Sequence, residues 1–312
     1  MTRTASYILV LCCLCWVSNA INPSTSILSS DFRNWLDTNG YKSDDFDQGS
    51  GYSYGGRSST GESVSKTPII FIHGNSDKAV GSTFGQTGWT DSIDYFLSRG
   101  YRQSELYAIT WGPANALLSS QQYHSKPYLT RIRRFIKAVK SYTGKSKVNV
   151  IGHSMGVTLA RKAIKGGSGH DSLNGGYYDL GSRLTYVDTF IGIAGANLGL
   201  SSCYLSGPST PTCGSTNGFY PGYLYLGSGP YGVSDFLVDL NADSGREATY
   251  IFSIWSSVDE VVGGGSLVYG KVTCRIDGQN DEKVYNSAPY GHFGVKDSTA
   301  SVQYNMVTYH RP

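Results

Sequence analysis

The sequence predicts an α/β fold: a mostly parallel central sheet with helices on both faces. Three observations carry this. Short β-branched runs alternate with stretches of helical apolar spacing along the chain. Thr67–Ile72 is apolar without interruption, as a strand buried on both faces must be. Lys147–Gly156, KVNVIGHSMG, reads as strand, sharp turn and helix in immediate succession. With 312 residues the chain can bury one large core.

Met1–Ala20 has the layout of a secretory leader. Arg3 precedes an apolar core from Ile8 to Val17, and small residues stand at Ser18 and Ala20 before an expected cut. That apolar run is too short for a lasting membrane anchor, and no later stretch is apolar enough to span a bilayer. The expectation is a secreted protein. Net charge is +3, and +2 once Arg3 leaves, too little to suggest a nucleic-acid partner. Arg131, Arg133, Arg134, Lys137 and Lys140 cluster, but on an amphipathic pattern with Ile132, Phe135, Ile136 and Val139, so a solvated helix face is expected.

Residues 21–66 read as an N-terminal extension and 67–312 as the main domain, interrupted by an insertion at about 196–245. In the extension, Asp31–Leu36 suggests a short helix ended by Asn39-Gly40, and Ser43–Ser65 no regular structure. After the Thr67 strand, Thr90 is expected to cap a helix that stops at Gly100, and Leu106–Thr110 is the next strand. Pro127 opens the basic helix and Gly144 closes it. Val148–Ile151, the Ser154 turn and a helix from Val157 follow. Gly166–Gly176 reads as a loop and Thr185–Ala194 as a strand. Only Val233–Leu240 looks helical within the insertion. Thr249–Trp255 resumes the strands. Val268–Arg275 is a further strand or part of a hairpin, Lys283–Asn286 a last short strand and Ser298–Thr308 a terminal helix.

The pattern Gly-x-Ser-x-Gly occurs twice. At Gly152–Gly156 it sits between strand and helix, where the turn thrusts a serine hydroxyl above the end of a sheet. At Gly51–Gly55 it has neither neighbour and reads as a flexible loop. Ser154 is therefore the candidate nucleophile. A serine needs a base and the base an orienting acid, which in this architecture follow in the order acid, then histidine. His292 comes after the final strand. His170 lies too close to the nucleophile's helix, and His310 falls beyond the last helix. Asp259 ends the Thr249 strand, with Glu260 as the fallback; Asp188 lies inside a strand, and Asp235, Asp239 and Asp243 fall in the insertion. Two backbone N–H groups are needed for the oxyanion. Met155 follows the nucleophile, and Asn75 lies in the loop after the first strand, behind His73-Gly74, where His73 is assigned a supporting role.

Six blocks in order, PIIFIHGNSD, SRGY with LYAITWG, KVNVIGHSMGVTLAR, IGIAGANLG, SIWSSVDEVV and YGHFGV, resemble the class 2 secreted lipases of the EstA/EstB type. The resemblance runs from Pro68 onward. It implies an α/β-hydrolase fold, carboxylic-ester hydrolysis and the same assignment of Ser154, Asp259, His292, Asn75 and Met155. A lipid ester is the expected substrate. A short-chain esterase or thioesterase is the rival activity, and a non-catalytic lipid-binding relative the rival class.

Neither metal nor cofactor is called for. The mature chain would keep Cys203, Cys213 and Cys274, with no C-x-x-C pair. Secretion and the turn-forming Pro208 and Pro211 favour a Cys203–Cys213 disulfide, leaving Cys274 free and buried. Phe219, Tyr220, Tyr223, Leu224, Tyr225 and Leu226 of the insertion are candidates to line an acyl site or to cover it.

Overall fold

The computed structural model describes residues 20–312, so the leader read at 1–20 lies, but for Ala20, outside the described residues. Seven strands form the central sheet: β1 (Ser53–Tyr54), β2 (Ile69–Ile72), β3 (Leu106–Ile109), β4 (Val148–His153), β5 (Val187–Ile193), β6 (Tyr250–Ser256) and β7 (Asp281–Tyr285), in the spatial order β1-β3-β2-β4-β5-β6-β7. All pairs are parallel except β1 with β3. Every residue of β2, β3 and β4 is buried, so both faces of the sheet are covered, which is why these strands are mostly apolar rather than alternating, with Asn149 and His153 the polar exceptions in β4.

Among the described residues eight α-helices accompany the sheet: α1 (Ser30–Thr38), α2 (Thr90–Ser98), α3 (Lys126–Thr143), α4 (Met155–Lys165), α5 (Ser201–Ser206), α6 (Asp235–Ala242), α7 (Gly294–Asp297) and α8 (Ala300–Tyr309). The pair α3 and α4 pack together, as do α2 and α8. Ser125 caps α3 by accepting from the Tyr128 N–H, Pro127 occupies its first turn, and Gly144 ends it at φ +68°.

The structure corrects several expectations. Thr90 is the first residue of α2 and not its cap; its hydroxyl is turned away to the Gly81 carbonyl (2.6 Å). Residues 43–65 contain β1, which pairs Ser53 with Ile109 and Tyr54 with Ala108 on the sheet edge. The Gly51–Gly55 segment is accordingly no flexible loop: Ser53 is fully buried, accepts from the Leu28 N–H (3.1 Å) and donates to Asp47 Oδ1 (2.8 Å). The stretch read as the Gly166 loop holds a hairpin of Ser168–Asp171 with Gly176–Asp179. Glycine and tyrosine composition concealed it, because most of the paired residues are at least partly exposed and carry no apolar alternation.

The basic face of α3 is only partly solvated. Arg131 donates to the Asp44 carbonyl (2.6 Å) and to that of Asp45, and Arg134 to Asp44 Oδ1 (2.6 Å) and the Gly40 carbonyl (2.7 Å). Arg133 turns inward to the carbonyls of Ala163 and Ser182. Three of the five cations thus serve as clamps for backbone oxygens. Arg131 and Arg134 fasten the extension, while Phe32 of α1 stacks on Tyr142 of α3 (4.3 Å between ring centres). The extension is part of the core, not an appendage.

The insertion adds α5, a hairpin of Tyr223–Tyr225 with Ser228–Tyr231, and α6, one helix more than expected. Leu267–Val268 and Lys271–Val272 form a hairpin, settling one of the two alternatives for that stretch. Cys203 and Cys213 are disulfide-bonded with Cα atoms 5.1 Å apart, and Cys274 is free and buried. Among the described residues no helix is long and apolar enough to cross a membrane.

Candidate active site

Ser154 stands where β4 turns into α4, at φ +53°, ψ −126°, a backbone conformation that L-residues rarely adopt. Its glycine neighbours allow this. A Cβ on Gly156 would lie 2.3 Å from the His73 carbonyl oxygen and 2.4 Å from that of Ile72. Only glycine lets the first turn of α4 come so near the end of β2. A Cβ on Gly152 would press on Gly156 and Val157 at 3.0 Å. Ser76 after β2 and Ala194 after β5 also have positive φ, so strain gathers at the carboxyl ends of three strands.

The β6 end supplies Asp259 and the loop after β7 supplies His292. His292 Nδ1 and Asp259 Oδ2 are 2.8 Å apart, both side chains buried. Asp259 Oδ1 accepts from the N–H groups of Val261 and Val262 (both 2.9 Å), which fixes the carboxylate and leaves its other oxygen to the imidazole. Glu260 points elsewhere: its Oε2 accepts the backbone N–H of His292 (3.0 Å). The adjacent acids therefore hold the same histidine at two points, one at the ring and one at the main chain. His170 packs at a tilt against Tyr177 of the outer hairpin, and His310 stacks on Tyr250.

His153 ties the histidine loop to the turn. Its Nε2 lies 3.0 Å from the His292 carbonyl, so it carries the proton there as a donor, and burial pushes its pKa well below the usual range. Its Nδ1 is buried without a partner among the described residues. Among those residues Ser154 Oγ forms no hydrogen bond, and the contact that brings His292 to the turn runs through His153. Such hydrogen bonds often tighten only around a substrate.

On the other side stands the loop after β2. A Cβ on Gly74 would sit 3.0 Å from Ser154 Cβ, which brings this loop against the serine. Among the described residues neither Asn75 nor Met155 donates its backbone N–H to a protein acceptor. The Asn75 side chain is committed instead, donating to the Ser119 carbonyl (2.8 Å). Thr212, beside Cys213, puts its hydroxyl on that same carbonyl (2.7 Å), so the disulfide-closed loop braces Asn75 through one shared oxygen.

Sequence reasoning gave His73 a supporting role but missed the residues that execute it. His73 stacks on Trp111 at 4.9 Å and 10° between planes. Trp111 Nε1 donates to the His73 carbonyl (2.8 Å), and the Trp111 N–H donates to His73 Nε2 (3.2 Å). His73 Nδ1 must then carry the proton and donate to the Gly74 carbonyl (2.7 Å). Burial holds this imidazole neutral, with its pKa lowered to about 4. Also missed was Lys296, fully buried four residues after His292. It bonds Thr87 Oγ1 and Asp297 Oδ1 (each 2.8 Å) and the Gly88 carbonyl, with Asp77 of the loop after β2 at 3.5 Å. Its only sequence signal was a lysine close behind a candidate histidine.

The insertion's aromatic set divides. Phe219 is buried against His124, whereas Tyr223, Leu224, Tyr225 and Leu226 stand exposed on the hairpin.

The family model for Lipase (class 2) matches residues 66–305. No curated protein sequence matches the chain. Among solved structures, Aspergillus fumigatus lipase B is similar with a TM-score of 0.52 and 15% identity over 84% of this chain. The chain spans 57% of that lipase's length. The mature form of Bacillus licheniformis lipase BlEst2 is similar with a TM-score of 0.48 and 14% identity, covering 82% of this chain and 98% of that one. At 15% identity the likeness to the Aspergillus enzyme speaks for the fold alone, that of an α/β-hydrolase.

Proposed function

The chain belongs to the class 2 lipase family, and from that premise we propose a secreted serine ester hydrolase that releases fatty acids from acylglycerols through an acyl-enzyme on Ser154. The observation that carries the mechanism is the Asp259–His292 bond of 2.8 Å beside a serine strained at the strand-to-helix turn. Ser154 Oγ attacks the acyl carbonyl while His292 Nε2 takes its proton. The N–H groups of Asn75 and Met155 hold the oxyanion, and the alkoxide leaves with the proton from His292. Water, deprotonated by the same ring, then attacks the acyl-enzyme and frees the acid and Ser154. Asp259 keeps Nδ1–H in place throughout and stabilises the imidazolium.

An apolar ester suits the rim. Phe84 is 86% exposed yet packs at a tilt against Phe293, next to His292, and Leu117, 90% exposed, rides on the turn that holds Asn75. Secretion is supported by the leader pattern and by a disulfide, which persists in oxidising compartments. The test compares hydrolysis of emulsified long-chain triglyceride with that of a soluble short-chain ester. Greater kcat/KM on the emulsion is expected, lost in Ser154→Ala. A strong preference for the soluble ester would make the enzyme an esterase, and no hydrolysis of either would reject the catalytic reading.

A further inference from the structure

The Ile21 nitrogen lies 2.7 Å from Asp94 Oδ1, and among the described residues this is the only hydrogen bond the Asp94 side chain makes. No cation pairs with Asp94 there. The nearby guanidinium groups are engaged elsewhere, Arg99 on the Tyr95 hydroxyl (2.7 Å) and Arg33 on Asp47 (3.3 Å). Asp91, one turn earlier on α2, adds a second carboxylate, and burial holds both carboxyls above their ordinary range. The fold thus keeps a half-buried carboxylate whose only partner is a main-chain nitrogen. That nitrogen follows Ala20, the bond at which the small residues Ser18 and Ala20 mark a leader cut. Ala20 is exposed, while the Ile21 side chain packs against the core.

We infer that an endopeptidase hydrolyses the Ala20–Ile21 bond and that the α-ammonium freed at Ile21 seats on the Asp94 carboxylate. The inference rests on the secretory reading above. Water adds across the peptide bond; Ala20 leaves with the new carboxylate and Ile21 keeps the amine, which takes up a proton. Before the cut a neutral N–H faces Asp94. Afterwards a cation with three donors does, and a charge-assisted hydrogen bond replaces a neutral one. Maturation therefore completes an ion pair between the first mature residue and α2, and the terminal Ile21 is anchored rather than frayed.

The experiment is N-terminal sequencing of the secreted protein followed by a two-by-two comparison of melting temperatures. One axis is the terminus, Ile21 or a retained Ala20 ahead of it; the other is Asp94 or Asp94→Asn. Sequencing should begin Ile-Asn-Pro-Ser. Either change alone should lower Tm by about 3 °C, the scale of one such bond in a domain of this size, and the second change should then lower it little further. The terminal amine of the mature form should also be acylated by acetic anhydride more slowly than in Asp94→Asn. Additive or absent Tm effects on a correctly cut protein overturn the seat alone. A secreted protein beginning elsewhere overturns the processing bond and the seat with it, and a chain that keeps its leader overturns the secretory reading as well.

Discussion

Gly51–Gly55 and Gly152–Gly156 share the same motif letters and serve opposite ends. In the first copy the serine belongs to a two-residue edge strand; it is fully buried, and its hydroxyl both accepts from Leu28 and donates to Asp47. In the second the serine is half exposed, sits at φ +53°, and has no hydrogen bond to its hydroxyl among the described residues. What separates them is the chain on either side. A six-residue buried strand leads straight into Ser154, and a helix starts at the next residue. Ser53 has an antiparallel partner instead of a following helix, and its hydroxyl is spent on local wiring. A motif is read through its neighbours.

Paired substitutions break this contrast most sharply. Ser154→Ala should reduce kcat by about 10⁴–10⁶, the usual loss when a triad nucleophile is removed. Ser53→Ala should leave kcat near the parent value but destabilise the fold by about 1–3 kcal/mol, because the buried Leu28 N–H loses its acceptor. Steady-state kinetics and urea unfolding on both variants check the pair, and a catalytic loss in Ser53→Ala would erase the distinction.

A second contrast concerns adjacent carboxylates. Asp259→Asn should lower kcat by about 10³–10⁴, since an amide favours the wrong imidazole tautomer. Glu260→Gln should cost no more than about tenfold, because its amide oxygen still accepts the His292 N–H. The reverse ranking would move the acid role to Glu260.

How much of this was legible can be argued from particular residues. The strands ending at Ile72, Ile109, His153, Ile193 and Ser256 announced themselves because burial on both faces demands runs that are mostly apolar and β-branched or aromatic. The candidate site followed, since its residues lie in the turns and loops that follow strand ends. Elements held by pairing or by main-chain acceptors had no such pattern. Ser53–Tyr54 and the Ser168 hairpin lie in polar, glycine-rich sequence, and Arg131 grips carbonyl oxygens, which every residue carries alike. Trp111 and Lys296 were invisible for the same reason: they act on loops that meet only in three dimensions.

Acid pH extends the comparison. The Ser154 region is flanked by imidazoles that burial keeps neutral, His73 near about 4 and His153 well below its usual value, with His124 near about 3 against α4. Their folded values lie below the unfolded value of about 6.5, so the unfolded chain binds more protons as pH falls. The stability they contribute is complete above about pH 6.5 and erodes below it, by about 1.4 kcal/mol per pH unit for each histidine down to its folded value. Unfolding followed from pH 7 to 5 should show this slope, and His124→Gln should flatten it. An unchanged slope would mean that His124 is already protonated in the native state.

The most direct measurement is to label the protein with a fluorophosphonate and map the modified peptide. Both motif copies offer a serine to the same reagent under the same conditions. The label should appear on the peptide carrying Ser154, and prior unfolding should abolish it. Label on the peptide carrying Ser53, or on neither in protein that hydrolyses esters, would contradict the assignment.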